Sequence, residues 1–325
     1  MKYHKLDAKD YARTHMKGIW AAALTPFQPD GALDAAGFRR NLRHWVDDLA
    51  LEGLFIAGKQ GEFFSMSVSE RKRLFEVAVE ETQHRSRTIL SCSDQNLDTV
   101  IELARYAESI GADFIVVHAP VLNFVTPPDD TVYEYYRYLS ETLNIGIAMW
   151  SHPDSGYLMS PELCARIAEL PNIVAIKYSV PREMYVRLTK LAGDKLIVST
   201  SSEEEWLDNI LELNWQVYLC STPPYLIQTK YDQRMRQYTE LAMGGEGARA
   251  RVVRDSLDPV RNALRLSRPP GKAHAHQKYW QELLGQAGGA VRRPLLSLTP
   301  AEKEATQVAF ENCGLRLNAP QKESA

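Results

Sequence analysis

Eight short apolar runs recur along the first two-thirds of the chain, each followed by a longer segment of helical periodicity. No other feature restricts the fold as much. The runs cover residues 20–25, 53–58, 88–92, 113–118, 145–150, 173–178, 195–199 and 216–220. They are rich in Ile, Val, Leu and Ala and apolar on both faces, as parallel strands covered by helices must be. The intervening segments carry helix chemistry. Ser67 stands three residues before Glu70 in a capping-box pattern. The amphipathic stretch that opens at Asn96 stops near Gly111, and Ser160 precedes Pro161 as an N-cap before a first-turn proline. Eight β-then-α units in about 200 residues predict an α/β fold, the (β/α)8 TIM barrel. A doubly wound sheet is the competitor, but no GxGxxG follows the first run.

The strand signal stops near Tyr231. Residues 1–230 are expected to form the barrel with a short N-terminal extension, and residues 231–325 a C-terminal helical appendix whose apolar stripes need the barrel as partner. Within the appendix, RMRQYTELAM, ARVVRDSLDPVRNALRL and PAEKEATQVAFENCGL read as helices. SRPPGKAHAHQK reads as a connection, and the tail from about Asn318 as frayed. With 38 Lys+Arg against 41 Asp+Glu, the net charge of -3 provides no basic field for nucleic acid or an anionic membrane. The apolar runs fall far short of a bilayer span, and the N-terminus lacks a signal-peptide core. Four scattered cysteines form no CxxC pair, so neither a disulfide framework nor a zinc ribbon is indicated. These features are those expected of a soluble, cytoplasmic globular protein.

In such barrels the reactive groups stand at the C-terminal ends of the strands. That rule singles out GKQGE (58–62), SCSDQN (91–96), HAP (118–120), MWSHP (149–153) and IKYS (176–179). Lys177 closes the apolar run IVAIK. In a low-dielectric barrel mouth its ammonium is disfavoured, which suits an amine nucleophile toward a carbonyl. The plainer alternative is a strand-end lysine that snorkels to solvent.

Four segments resemble the dihydrodipicolinate synthase / N-acetylneuraminate lyase family of Schiff-base-forming aldolases, in the family's order and spacing. They are GIWAAALTPFQPDGALD, GKQGEFFSMSVSERKRL, LPNIVAIKYS and RRPLLSLTPAEKEATQVAFENCGL, and the resemblance runs from about Lys17 to Leu317. It implies a class I mechanism in which Lys177 forms an imine with pyruvate or another 2-oxo acid. The iminium then serves as electron sink for cleavage, condensation or dehydration. The resemblance implies no metal or organic cofactor, and a homotetramer or dimer.

Departures from the family pattern are concentrated at the site. Trp150 stands where the family has a proton-relaying tyrosine, and an indole N–H donates but is no acid or base near neutral pH. Lys59 and Gln60 replace two threonines, Val121 and Leu122 replace a Tyr-Tyr pair, and PDSGY lacks the family's arginine. Dihydrodipicolinate synthase activity itself is therefore not expected. Lys59 is a candidate to depress the Lys177 pKa or to bind a carboxylate, or else it pairs with Glu62. His152 is a candidate acid–base residue, or else a loop histidine bonded to backbone. Gly58, Gln60, Gly61, Trp150 and Tyr218 are candidate substrate-binding residues. His118, Asp94 and Ser93 are secondary mouth candidates, and Tyr178 should face away as a packing residue. Trp150, Tyr157, Phe63 and Phe64 make the expected mouth aromatic. Two other readings remain: a non-catalytic barrel, and a metal-assisted enzyme in which His118, His152, Asp94 and Glu62 gather a divalent ion.

Overall fold

The computed structural model describes residues 2–83, 85–122, 125, 128–155, 157–200, 202–219 and 222–318. Cys220, Gly156 of PDSGY and the tail from residue 319 lie outside them. The chain opens with α1 (Ala8–His15) and then alternates: β1 (Gly18–Ala22), α2 (Ala35–Arg43), β2 (Gly53–Ile56), α3 (Val68–Thr82), β3 (Arg87–Ser91), α4 (Leu97–Ser109) and β4 (Phe114–His118). The second half continues with α5 (Asp129–Thr142), β5 (Gly146–Ser151), α6 (Pro161–Ile167), β6 (Ile173–Tyr178), α7 (Arg182–Ala192), β7 (Ile197–Ser199), α8 (Trp206–Leu213) and β8 (Val217–Leu219). All eight strands are parallel, in the order β7-β6-β5-β4-β3-β2-β1-β8. This is a TIM barrel, closed among the described residues by backbone pairing everywhere except between β7 and β8.

At that seam a side chain takes the place of a ladder. The Ser199 hydroxyl donates to the Val217 carbonyl at 2.9 Å and accepts from the Leu219 amide at 2.9 Å. A hydroxyl can do both because it is donor and acceptor at once.

Local chemistry sets the element ends. Ser67 and Glu70 form the capping box of α3, with the Ser67 amide donating to Glu70 Oε2 at 2.9 Å. Ser160 accepts from the Leu163 amide at the start of α6. Gly111, at φ +80°, takes the left-handed turn after α4 that a Cβ would oppose. The strands lie a residue or two from the expected runs. In β1 the shift is larger, because pairing with β8 begins already at Gly18. The expected short N-terminal extension contains a helix. Ala8, Ala12 and Met16, four residues apart, are fully buried, while Gln216 and Asp113 tie the segment to the lower ends of β8 and β4.

After β8 follow α9 (Arg234–Met243), α10 (Gly247–Asp255), α11 (Asp258–Leu266), α12 (Ala273–Leu283) and α13 (Pro300–Glu311). The stretch read as one helix over 250–266 is two, broken at Ser256–Leu257 with Pro259 in the first turn of α11. The last part of SRPPGKAHAHQK is helical, because α12 begins at Ala273. Fully buried Trp280 donates from Nε1 to the carbonyl of Leu226, in the segment after β8, at 2.9 Å. Among the described residues no helix is long and apolar enough to cross a membrane.

Candidate active site

Register aligns the chemistry. His118 of β4 lies opposite Trp150 of β5, Trp150 opposite Lys177 of β6, and Lys177 opposite Ser199 of β7. Residues paired across parallel strands share a face, so one row of the barrel carries an imidazole, an indole, an amine and a hydroxyl. Lys177 is 2% exposed. Its Nζ lies 5.1 Å from the Phe55 ring centre and 5.5 Å from that of Trp150. The amine therefore does not snorkel. Tyr178, one residue on, faces the other way and donates to the Met159 carbonyl at 2.5 Å, the packing role expected of it.

Above the row opens a cavity of about 430 Å³. Phe63, Phe64, Met66, Val121 and Trp150 supply its apolar surface, and Lys59, Asp94, Gln95, His118, His152 and Asp154 its polar surface. Lys177 does not line this space. It lies behind Trp150, whose ring touches both.

Three candidates converge here. Lys59 reaches into the cavity from the turn after β2 and forms an ion pair with Asp154, not with Glu62. Burial lowers its pKa. His152 enters from the end of β5, and its Nδ1 accepts the Asp154 amide at 3.1 Å, which leaves the ring proton on Nε2. Burial and the charges of Lys59 and Lys177 push its pKa down to about 4. This differs from the near-neutral value expected of an acid–base histidine: His152 is a neutral N–H donor at pH 7. Trp150 is 5% exposed, and its Nε1–H has no hydrogen-bond acceptor among the described residues.

The other substrate-binding candidates stand apart from the cavity wall. Gly58, Gln60 and Gly61 form the turn beneath Lys59 and do not line the space. The turn is closed on itself: the Glu62 amide donates to the Lys59 carbonyl and the Phe63 amide to the Gly58 carbonyl. A Cβ on Gly61 would come within 3.0 Å of the Ala23 carbonyl oxygen, so the residue is there for close packing of the turn on β1. Tyr218 needs correction. It is fully buried 5.8 Å from the ring of Trp206 on α8, and its hydroxyl bonds the Thr222 carbonyl, so its parity on β8 turns it toward the helix layer. Tyr157 likewise bonds Asp129 of α5 and does not line the cavity.

His118 is placed more favourably than its secondary rank in the sequence. Its Nδ1 bonds the Ala119 carbonyl at 2.8 Å, and since a carbonyl only accepts, Nδ1 carries the proton. Its ring lies 5.7 Å from both Phe63 and Trp150. Burial lowers its pKa, so Nε2 is an unprotonated acceptor near neutrality.

The set proposed for a metal does not assemble. Glu62 is fully buried in an ion pair with Lys278 of α12 and accepts the Arg292 amide at 3.0 Å. Among the described residues, no three His, Cys, Asp or Glu side chains are grouped to hold an ion. Sequence reasoning missed this bracing altogether. His274 of α12 bonds the Lys59 carbonyl at 2.9 Å, Lys278 grips Glu62, and Arg292 pairs with Glu70. Contacts more than 200 residues apart leave no local pattern to read.

Residues 15–312 match the model of the dihydrodipicolinate synthetase family. A 4-hydroxy-tetrahydrodipicolinate synthase of Bradyrhizobium diazoefficiens is 27% identical over 308 residues, 94% of this chain and 99% of the relative. An N-acetylneuraminate lyase of Clostridium perfringens is 30% identical over 191 residues, 58% of this chain and 65% of the relative. A prophage protein of E. coli K12 belonging to the dihydrodipicolinic acid synthase family, solved in complex with pyruvate, superposes with a TM-score of 0.81. It is 20% identical, and the match covers 92% of this chain and 99% of that one.

Proposed function

The chain belongs to the dihydrodipicolinate synthetase family of class I aldolase-type lyases, and from that premise we propose that it processes pyruvate or a larger 2-oxo acid through an iminium on Lys177. The observation that carries this reading is a buried amine at the C-terminal end of β6, shielded by Phe55 and Trp150 directly beneath the cavity. Desolvation favours the neutral amine, which is the nucleophile.

In this scheme Lys177 Nζ attacks the C2 carbonyl, and the carbinolamine loses water to give the iminium. Lys59 binds the substrate carboxylate, exchanging the Asp154 carboxylate for it, with Gln60 of the same turn at its side. His152 donates a hydrogen bond from Nε2. The iminium draws in the electron pair of a breaking C–C or C–O bond, so the reading calls for neither metal nor organic cofactor.

The reaction proposed is not that of dihydrodipicolinate synthase proper. An indole at position 150 relays no proton, and the stretch after β5 offers an aspartate, not an arginine, toward the cavity.

Borohydride trapping with pyruvate and a panel of larger 2-oxo acids, read by intact-mass and peptide mass spectrometry, tests the proposal. The expected result is one reduced adduct on Lys177, absent from Lys177→Ala, which also loses turnover. A Lys177→Ala variant with wild-type kinetics on a 2-oxo acid would falsify it.

A further inference from the structure

Neighbouring strands without a ladder need some other fastening. Among the described residues β7 and β8 have none, and Ser199 joins them at the level of Lys177. At the opposite end of the barrel the N-terminal segment crosses the same seam. The Arg13 guanidinium donates to the Gly193 carbonyl, ahead of β7, at 3.0 Å. The Arg13 carbonyl accepts from Nε2 of Gln216, ahead of β8, at 3.0 Å. The same Gln216 amide donates to the Met16 carbonyl at 2.8 Å, and its backbone carbonyl accepts the Gly18 amide at 2.8 Å. Arg13 therefore touches both sides of the gap.

Arg13 is also the last of three cations spaced four residues apart. Lys5 donates to the carbonyls of Ser140 and Glu141 in the last turn of α5, and Lys9 to the Ala168 carbonyl at the end of α6. Arg13 takes the carbonyl of Gly193, the residue that ends α7. The last carbonyls of a helix lack partners within it and carry its negative end, so a cation is favoured at each. Lys2 extends the line with an ion pair to buried Asp113 ahead of β4, and the Tyr3 hydroxyl accepts the Gly146 amide of β5 at 2.8 Å. Ala8, Ala12 and Met16 are fully buried, with α1 packed against β5 and β6. The four cations all precede residue 15, where the match to the family model begins, so that match does not account for them.

We propose that residues 2–16 are a strap that spans the base of the barrel from β4 to β8 and holds the unladdered seam shut at that end. None of these residues lines the cavity, so the strap acts on the frame and not on a substrate. The seam then opens from the mouth alone. The strands that carry Trp150 and Lys177 keep their register while it does, because the strap ties the helices beside them to one another.

Amide hydrogen exchange of the full-length wild type and of Arg13→Met, read by mass spectrometry, tests the strap. Peptides covering 193–199 and 214–219 report the two sides of the seam. Peptides covering 53–56 and 87–91 report β2 and β3, which the strap does not reach. Methionine keeps the aliphatic stem of Arg13 and removes its donors. Exchange in the two seam peptides should rise about tenfold or more, the effect of losing one hydrogen bond to a charged donor. The β2 and β3 peptides should stay within about threefold of wild type. Seam peptides that exchange at the wild-type rate overturn the strap and leave the base to the bond from Trp215 Nε1 to Thr189 Oγ1, 3.1 Å long, which crosses beside it. Equal acceleration in all four peptides overturns it as well, because α1 would then support the whole fold and not the seam. Should Arg13→Met fail to fold, Gln216→Met cuts the other half of the bridge and is read in the same way.

Discussion

The two walls of the mouth are held in opposite ways. The turn after β2, which carries Lys59, is braced from behind by the C-terminal helices. Glu62 and Lys278 form an ion pair at 0% and 1% side-chain exposure, and His274 holds the Lys59 carbonyl. Facing it, the segment after β5 that carries His152 and Asp154 meets the turn through the Lys59–Asp154 pair, whose side chains are 36% and 60% exposed. Buried pairs fix geometry because a stranded charge is costly. Exposed pairs exchange readily with water and ligand. One wall is therefore fixed, as the proposed carboxylate-binding role of Lys59 requires, and the other is held more loosely.

Breaking the braced wall should have the largest effect. Lys278→Met leaves the Glu62 carboxylate buried without its cation and should cost about 3–5 kcal/mol in urea unfolding; a loss under about 1 kcal/mol would mean that the pair does not brace the turn. The next test loads the same helix with acid. His276 of α12 is fully buried beside Ser267, and burial with the Arg268 charge lowers its pKa to about 4. Its folded value is below the unfolded one of about 6.5, so the unfolded chain binds the proton first. Its contribution is complete above pH 6.5 and is lost as pH falls toward 4, by about 3 kcal/mol. His276→Gln should flatten that slope; an unchanged slope would place the acid sensitivity elsewhere.

Smaller effects are expected at the adaptable wall. His152→Ala should lower kcat/KM by about tenfold, less than the 10²–10⁴ typical of an acid–base residue, and leave the shape of the pH profile between 5.5 and 8 unaltered. A new limb in that range would restore His152 to proton transfer. Asp154→Asn should change stability by less than about 1 kcal/mol. It should also lower KM for a 2-oxo acid, because Lys59 no longer has to leave a carboxylate to take another. A raised KM would show that Asp154 orients Lys59 rather than occupying it.

The barrel was legible because eight buried strands leave eight apolar runs, and strand ends then point to the mouth. Lys177, Lys59, Trp150 and His152 follow from that rule. Sequence reading failed where position depends on partners far along the chain. Tyr218 belongs to a strand only three residues long in the structure, and its parity is visible only against Trp206. The helix α1 hides in a polar segment, although the spacing of Ala8, Ala12 and Met16 marks its buried stripe. The place of His118 on the cavity wall was underrated, and its tautomer is set by the Ala119 carbonyl, which no pattern of residue types records.

The serine at the β7–β8 seam has one further consequence. Among the described residues, the Leu219 amide and the Val217 carbonyl depend there on a single oxygen, and that oxygen belongs to the residue beside Lys177 in register. The circumference of the barrel is thus fastened by a clasp rather than a weld. Amide exchange should start at Leu219 when the barrel breathes, and the opening would begin next to the Lys177 amine, where the barrel can widen without the ladders of the other strands letting go.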